Sequence, residues 1–218
     1  MNFEKIINNK IFVIFIIPFF LGLLSVFSFQ PFNFTLINFL IFPILFFILT
    51  YVNKRSKNIY RKKPFLKNLF FVGHSFGFGF FITSTYWISN SLTFDESFKF
   101  LIPFALILLP LFLAIFTGLT TLIIGQYLNN NLASLFLFAG ALSLADYVRS
   151  KILTGFPWNL WGYTWSWLTE ILQILNIIGL FCFNLLVITI FCLPVILFFR
   201  ISLPKKISIL STTFLMVF

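Results

Sequence analysis

Charged residues are scarce in this chain. Its 218 residues include five acids, one histidine and 15 Lys or Arg residues, and charged side chains make up only 9% of the total. An average soluble domain has about 25% charged residues, whereas the mean hydropathy of this chain is +1.05. The shortage of charge excludes a soluble globular domain and indicates an integral membrane protein.

The apolar residues form long blocks without alternation of apolar and polar positions. This excludes a membrane β-barrel, whose strands face lipid on one side and a polar lumen on the other. A helix crosses a hydrocarbon core of ~30 Å with about 20 residues. Six blocks are predicted to do so: Ile11–Phe29, Phe34–Val52, Leu69–Leu92, Leu101–Leu128, Leu132–Tyr147 and Leu168–Phe199. We predict an all-α, polytopic transmembrane helix bundle that forms a single domain over residues 1–218, with these six spans and a truncated seventh over Ile207–Phe218.

The basic residues predict the orientation of the chain. If the N-terminus is cytoplasmic and each block crosses once, most of the 15 Lys and Arg residues fall in cytoplasmic loops, as the positive-inside rule requires. The densest basic stretch, residues 54–67, has the composition of a site for nucleic acid or anionic lipid headgroups. It also has the composition of a topology determinant between two spans, and we favour that interpretation. We therefore predict a cytoplasmic N-terminus and no nucleic-acid partner.

Residues suited to catalysis or metal binding are few. Cys182 and Cys192 lie ten residues apart in one apolar helix, which separates them by about 15 Å and excludes a disulfide or a shared metal ion. Both are interpreted as packing residues, and no metal, cofactor or catalytic residue is predicted in this chain. His74 is the lone histidine, and it lies between Gly73 and Gly77 in the third span. The bare helix face there favours helix packing, with an acyl-chain groove as the alternative.

The segment from Asp146 to Tyr163 is the one stretch that a membrane-span composition does not explain. Asp146 and Arg149 are three residues apart, so they form an interface pair on one helical turn. A helix break at Gly155 and an extended turn at Pro157 are predicted to follow. Physical chemistry leaves two interpretations open, a simple aromatic anchor and a rim that contacts a lipid or a partner. The predicted rim residues are Gly155, Phe156, Pro157, Trp158, Gly162 and Tyr163.

The string L-T-G-F-P-W-N-L-W-G-Y, residues 153–163, resembles the L-T-G-F-P-W-x-x-x-G-Y segment of the apolipoprotein N-acyltransferase family. Asp146, Arg149 and Ser150 stand at the positions of that family's usual E-x-x-R-G run, with Asp in place of Glu and Ser in place of Gly. Weaker similarity covers the turn at residues 29–32, the Gly-rich span at residues 73–87 and the helix at residues 173–186. The resemblance therefore runs along most of the chain, with one specific motif.

The resemblance implies a two-step acyl transfer in the bacterial inner membrane. A phospholipid acyl chain passes through a cysteine thioester to the N-terminal diacylglyceryl-cysteine of an apolipoprotein. In the family, a Glu-Lys-Cys triad in a nitrilase-like domain after the seventh span performs this chemistry. We expect that domain to be missing from this chain, and the chain to be inactive unless a separate catalytic chain supplies it. A small multi-span solute-binding transporter subunit is the alternative, although its polar cavity residues are sparse here.

Overall fold

The computed structural model describes residues 9–58, 64–152 and 155–215. Parts of the predicted features lie outside these residues, namely Arg61, Lys62 and Lys63 of the basic stretch, Leu153 and Thr154 of the motif, and the last residues of the predicted seventh span. The described residues are mostly helical and contain no strand. Nine α-helices occur in them: α1 (Ile17–Ser25), α2 (Asn38–Asn58), α3 (Pro64–Ser84), α4 (Ile88–Ser91), α5 (Ile102–Ile124), α6 (Leu132–Lys151), α7 (Thr169–Leu172), α8 (Leu175–Cys192) and α9 (Leu203–Leu215). The all-α fold class is confirmed.

Four helical stretches among the described residues are long and apolar enough to cross a membrane. They are Thr35–Arg55, Glu96–Ile124, Leu132–Lys151 and Leu175–Phe198, and a shorter apolar helix covers Phe12–Ser28. The total of six spans and a seventh stays a prediction.

The predicted third and sixth blocks are interrupted in the structure. Helix α3 ends at Ser84, and the short helix α4 follows. The block Leu168–Phe199 contains α7, α8 and a 3₁₀ turn over Leu193–Phe198. Within α8, Gly179 has a φ of 76° and a ψ of 166°, which interrupts the helix. Such backbone angles are accessible to glycine at little cost, so continuous apolar composition did not guarantee a continuous helix.

The helices pack in two compact units. The first comprises Met1–Val26 and Tyr51–Gln126, where α3 packs against α1 and α5. Two glycines of α3 allow close approach to α5, because a Cβ atom at Gly73 would lie 2.1 Å from Thr121 Oγ1 and one at Gly77 would lie 2.1 Å from Thr117 Oγ1. Gly79 faces α1 instead, where its Cβ would lie 2.1 Å from Phe19 O. Glycine spacing on α3 thus serves two helix contacts on different faces.

The second unit comprises Phe27–Thr50 and Tyr127–Phe218. Here α6 packs against α8, and the 3₁₀ segment Trp161–Trp165 lies against α8. Aromatic rings fill the interior: Phe42 contacts Phe191 with ring centroids 5.5 Å apart, and Phe46 contacts Phe138 at 5.6 Å. All the rings of these two pairs are fully buried. This aromatic interior supports the segment that carries the candidate site.

Candidate functional site

Helix α6 leads into the candidate site, a loop over residues 155–163. Asn131 caps the N-terminus of the helix, because its Oδ1 accepts a hydrogen bond from Ser134 N at 2.8 Å, and the last helical residue is Lys151. Gly155 has a φ of 77°, and its nitrogen donates to Ile152 O at 3.0 Å. A side chain at residue 155 would place Cβ 2.5 Å from Ser150 O. Glycine is therefore required where the chain reverses after α6.

Arg149 holds the first half of the loop. Its Nη1 donates to Phe156 O at 2.8 Å and to Trp158 O at 2.9 Å, while Nη2 donates to Asp146 Oδ1 at 3.0 Å. Phe156 N donates in return to Arg149 O at 3.2 Å. Arg149 is only 2% exposed and Asp146 is also buried. The carboxylate compensates the buried guanidinium, and the guanidinium fixes two loop carbonyls in space.

Asn184 of α8 holds the far end of the loop. Its Oδ1 accepts a hydrogen bond from Gly162 N at 3.0 Å, and its Nδ2 donates to Asp146 Oδ2 at 3.0 Å. A Cβ atom at Gly162 would lie 2.9 Å from the Phe183 ring, so the loop lies directly on α8 there. One buried hydrogen-bond network therefore joins α6, α8 and both ends of the loop. We call the set Asp146, Arg149 and Asn184 the buried polar network.

The aromatic residues of the motif divide into exposed and buried members. Trp158 is 55% exposed and Pro157 is exposed beside it, whereas Trp161 is 5% exposed. The Trp161 ring contacts Phe42 edge to face, with centroids 4.8 Å apart. Trp165 is buried as well and stacks on Phe191 at 6.4 Å. The exposed surface of the loop is thus formed around Pro157 and Trp158, and the buried rings anchor it to the interior.

Phe156 and Tyr163 make further contacts within the loop. The Phe156 ring lies 5.8 Å from the Arg149 guanidinium carbon, in cation–π distance. The Tyr163 hydroxyl donates to Pro157 O at 3.4 Å. Burial raises the pKa of Tyr163, and the nearby positive charge of Arg149 opposes this rise in part. Tyr163 therefore stays a protonated donor at neutral pH.

The segment after the loop is hydrogen-bonded to the 3₁₀ turn Thr35–Ile37, which precedes α2. Thr35 Oγ1 donates to Thr164 O at 2.7 Å and accepts a hydrogen bond from Trp167 Nε1 at 2.9 Å. Both contacts lie inside the second unit. They involve none of the residues of the buried polar network.

The structure brings all eight predicted site residues into one site but gives them different surroundings. Asp146 and Arg149 form an ion pair that is more buried than an interface pair, and Gly162 lies under the loop surface rather than at its edge. Asn184 had no place in the predicted site. An asparagine within an apolar span is a signal for a specific role, but its partners lie 22 and 38 residues away in sequence.

The other predicted candidates have packing contacts. The His74 ring stacks on Phe70, with centroids 5.4 Å apart, and its Cβ atom lies against Gly118. A cavity of about 380 Å³ in the first unit borders His74 and Ser75, and phenylalanine rings form most of its wall. Cys182 is exposed and Cys192 is buried, and both are free thiols. Within the described ranges, no group of three or more His, Cys, Asp and Glu side chains is arranged to hold a metal ion.

Fold and site together define a helical membrane protein whose α6–α8 loop presents an exposed tryptophan and is held by a buried charged network. A family profile described as "Apolipoprotein N-acyltransferase N-terminal domain" matches residues 21–193. The chain belongs to this family. The resemblance stated from the sequence motif is confirmed.

Curated relatives agree with the family match. A Brucella melitensis protein named apolipoprotein N-acyltransferase is 32% identical over 168 residues, which cover 77% of this chain and 31% of the relative. The Rhodopseudomonas palustris protein of the same name is 30% identical over 177 residues, or 81% of this chain and 32% of the relative. The Rickettsia bellii protein is 40% identical over 118 residues, or 54% of this chain and 23% of the relative. The chain spans about a third of the length of the curated relatives it matches.

Proposed function

We propose that this chain is the membrane part of an apolipoprotein N-acyltransferase in the bacterial inner membrane, with its N-terminus in the cytoplasm. The enzyme transfers a phospholipid acyl chain to the N-terminal diacylglyceryl-cysteine of an apolipoprotein. The family match over residues 21–193 carries the proposal. The same match disfavours the transporter alternative.

In this proposal the chain positions acyl chains, and another domain performs the chemistry. The thioester step requires an activated thiolate, a general base and an oxyanion stabiliser. We assign these to a Glu-Lys-Cys triad of a nitrilase-like domain, on the same polypeptide or on a separate catalytic chain. The loop of residues 155–163 is the rim of the acyl site, where Phe156, Pro157 and Trp158 contact the lipid chains. The rigid hold on Phe156 O and Trp158 O supports this role, because a rim that orients a substrate must itself be fixed.

A chimera tests the proposal. In the Rickettsia bellii relative, the matching N-terminal region is replaced by this chain, and N-acylation of a reporter apolipoprotein is measured in cells depleted of their own enzyme. We expect the chimera to restore acylation. Cells that contain this chain alone are expected to show none.

Two controls make the result decisive. The unmodified relative, expressed to the same membrane level, sets full activity. An Arg200→Met chimera, altered at an exposed residue outside residues 155–163, is expected to match the unmodified chimera. A chimera that reaches the membrane in full amount but leaves the reporter unacylated contradicts the proposed function.

A further inference from the structure

Asn184 is a polar residue surrounded by apolar neighbours in α8, and its side chain is fully buried at 0% exposure. Both ends of its amide are occupied. Gly162 N–H is a donor, so the atom facing it must be Oδ1. The Asp146 carboxylate is an acceptor, so the atom facing it must be Nδ2. The partners alone therefore fix the orientation of the amide.

Arg149 and Asn184 divide the loop between them. Arg149 fixes the carbonyls of Phe156 and Trp158 at its start, and Asn184 fixes the nitrogen of Gly162 at its end. Asp146 joins the two, because one carboxylate oxygen accepts from Arg149 and the other from Asn184. The exposed Trp158 thus lies in a loop whose two ends are held by Arg149 and Asn184, and both of these residues bind the Asp146 carboxylate.

We propose that Asn184 is a positioning residue for acyl transfer, which acts by holding Gly162 and thereby the rim that carries Trp158. This inference rests on the proposed function of the rim. The proposed role requires two contacts. One is a donor–acceptor hydrogen bond between the side chains at positions 146 and 184, and the other is an acceptor at position 184 for Gly162 N–H. The identity of the residue that carries the negative charge is secondary.

Exchanging the two residues meets both requirements. In Asp146→Asn/Asn184→Asp, the new carboxylate at 184 accepts from Gly162 N and from the amide at 146, whose oxygen accepts from Arg149. Net charge and hydrogen bonds are conserved. In Asn184→Leu alone, Gly162 N–H loses its acceptor and one oxygen of Asp146 loses its donor. In Asp146→Asn alone, Arg149 loses its counter-ion.

The test uses these three variants and Asn176→Leu, which makes the same change as Asn184→Leu at an exposed position of the same helix. Loop position is read from acrylamide quenching of tryptophan fluorescence in the full chain in lipid nanodiscs. Four of the five tryptophans lie at positions 158, 161, 165 and 167, and a Trp87→Phe background removes the fifth. Acyl transfer is read in the chimera described above.

We expect Asn184→Leu and Asp146→Asn each to change quenching and to lower acyl transfer by about tenfold or more, because a misplacement of ~1 Å in a site costs on the order of 100-fold. Relative to Asp146→Asn, the exchange is expected to restore quenching and to bring transfer back to within about threefold of the unaltered chimera, a coupling typical of residues in direct contact. Asn176→Leu should leave both readouts unchanged.

Failure of the exchange to restore quenching overturns the inference, as does an Asn184→Leu chimera with full activity. These results are separate from failure of the proposed function, which shows as an inactive chimera with unaltered residues 146 and 184. In that event quenching in the exchange series still decides whether Asn184 holds the loop.

Discussion

Replacing Arg149 by methionine is the most informative perturbation of the buried polar network. Methionine keeps an unbranched apolar stem of similar length and removes the guanidinium. Asp146 loses the donor to its Oδ1, and the carbonyls of Phe156 and Trp158 lose theirs. The buried carboxylate is left without its counter-ion.

The expected loss follows from burial. Removing one partner of a buried ion pair costs about 3–5 kcal/mol, and the two loop carbonyls add to this. A typical protein has only about 5–15 kcal/mol of stability, so we expect Arg149→Met to remove a large share of it. Neutralising the carboxylate as well should recover part of the loss. Asp146→Asn/Arg149→Met is therefore expected to be more stable than Arg149→Met by about 1–3 kcal/mol.

The free energy of unfolding is measured in mixed micelles, where the fraction of a denaturing detergent is raised stepwise. Arg200→Met is the matched control, since Arg200 is exposed and its loss should cost within about 0.5 kcal/mol of zero. An Arg149→Met chain as stable as the control refutes the reasoning. So does a double variant that is no more stable than Arg149→Met.

Two further predictions concern the loop itself. Gly155→Ala is expected to destabilise the chain by at least about 1–2 kcal/mol, because alanine is strained at φ 77° and its Cβ meets Ser150 O at 2.5 Å. The control Gly140→Ala lies within α6, where a Cβ has open space, and it should be neutral or stabilising by up to ~1 kcal/mol in the same micelle assay. Equal effects of the two substitutions contradict the account of the turn. Trp161→Ala should lower the free energy of unfolding by about 3–5 kcal/mol, because its ring is buried against Phe42. Trp158→Ala should leave stability within about 0.5 kcal/mol and lower acyl transfer in the chimera. The reverse pattern contradicts the division into a buried anchor and an exposed rim.

Sequence patterns predicted the structural features that depend on residues close together in the chain. The apolar blocks predicted the membrane helices, and the glycine and proline after α6 predicted the turn, since both rest on composition and backbone freedom. The spacing of Asp146 and Arg149 predicted their pairing, because residues three apart share a helical face. The burial of the pair was not predicted, because that depends on α8 packing above it.

Long-range contacts account for the features that the sequence left open. Asn184 was visible only as one of several sparse polar residues, and its partners lie on other elements. The tryptophans of the motif have similar neighbours in the sequence. Which of their rings are buried depends on contacts with Phe42 and Phe191, which are distant in the chain. The faces on which the glycines of α3 lie, in contrast, follow from the sequence. At roughly 100° per residue around the helix axis, Gly79 lies about 240° from Gly73, while Gly77 lies about 40° from it. Helical periodicity therefore already separated the two faces of α3.

The cytoplasmic N-terminus and the single crossings predicted for the six spans place the loop, which follows the fifth span, on the outer face of the membrane. The proposed acyl site depends on this side. A Trp158→Cys chain with Cys182 and Cys192 replaced by serine is treated in intact cells with a membrane-impermeant maleimide, and Lys54→Cys in the same background marks the cytoplasmic side. Labelling of position 158 in intact cells, with position 54 labelled only after the membrane is opened, is the predicted result. Labelling of position 158 only in opened cells contradicts the predicted orientation and the proposed acyl-site rim together.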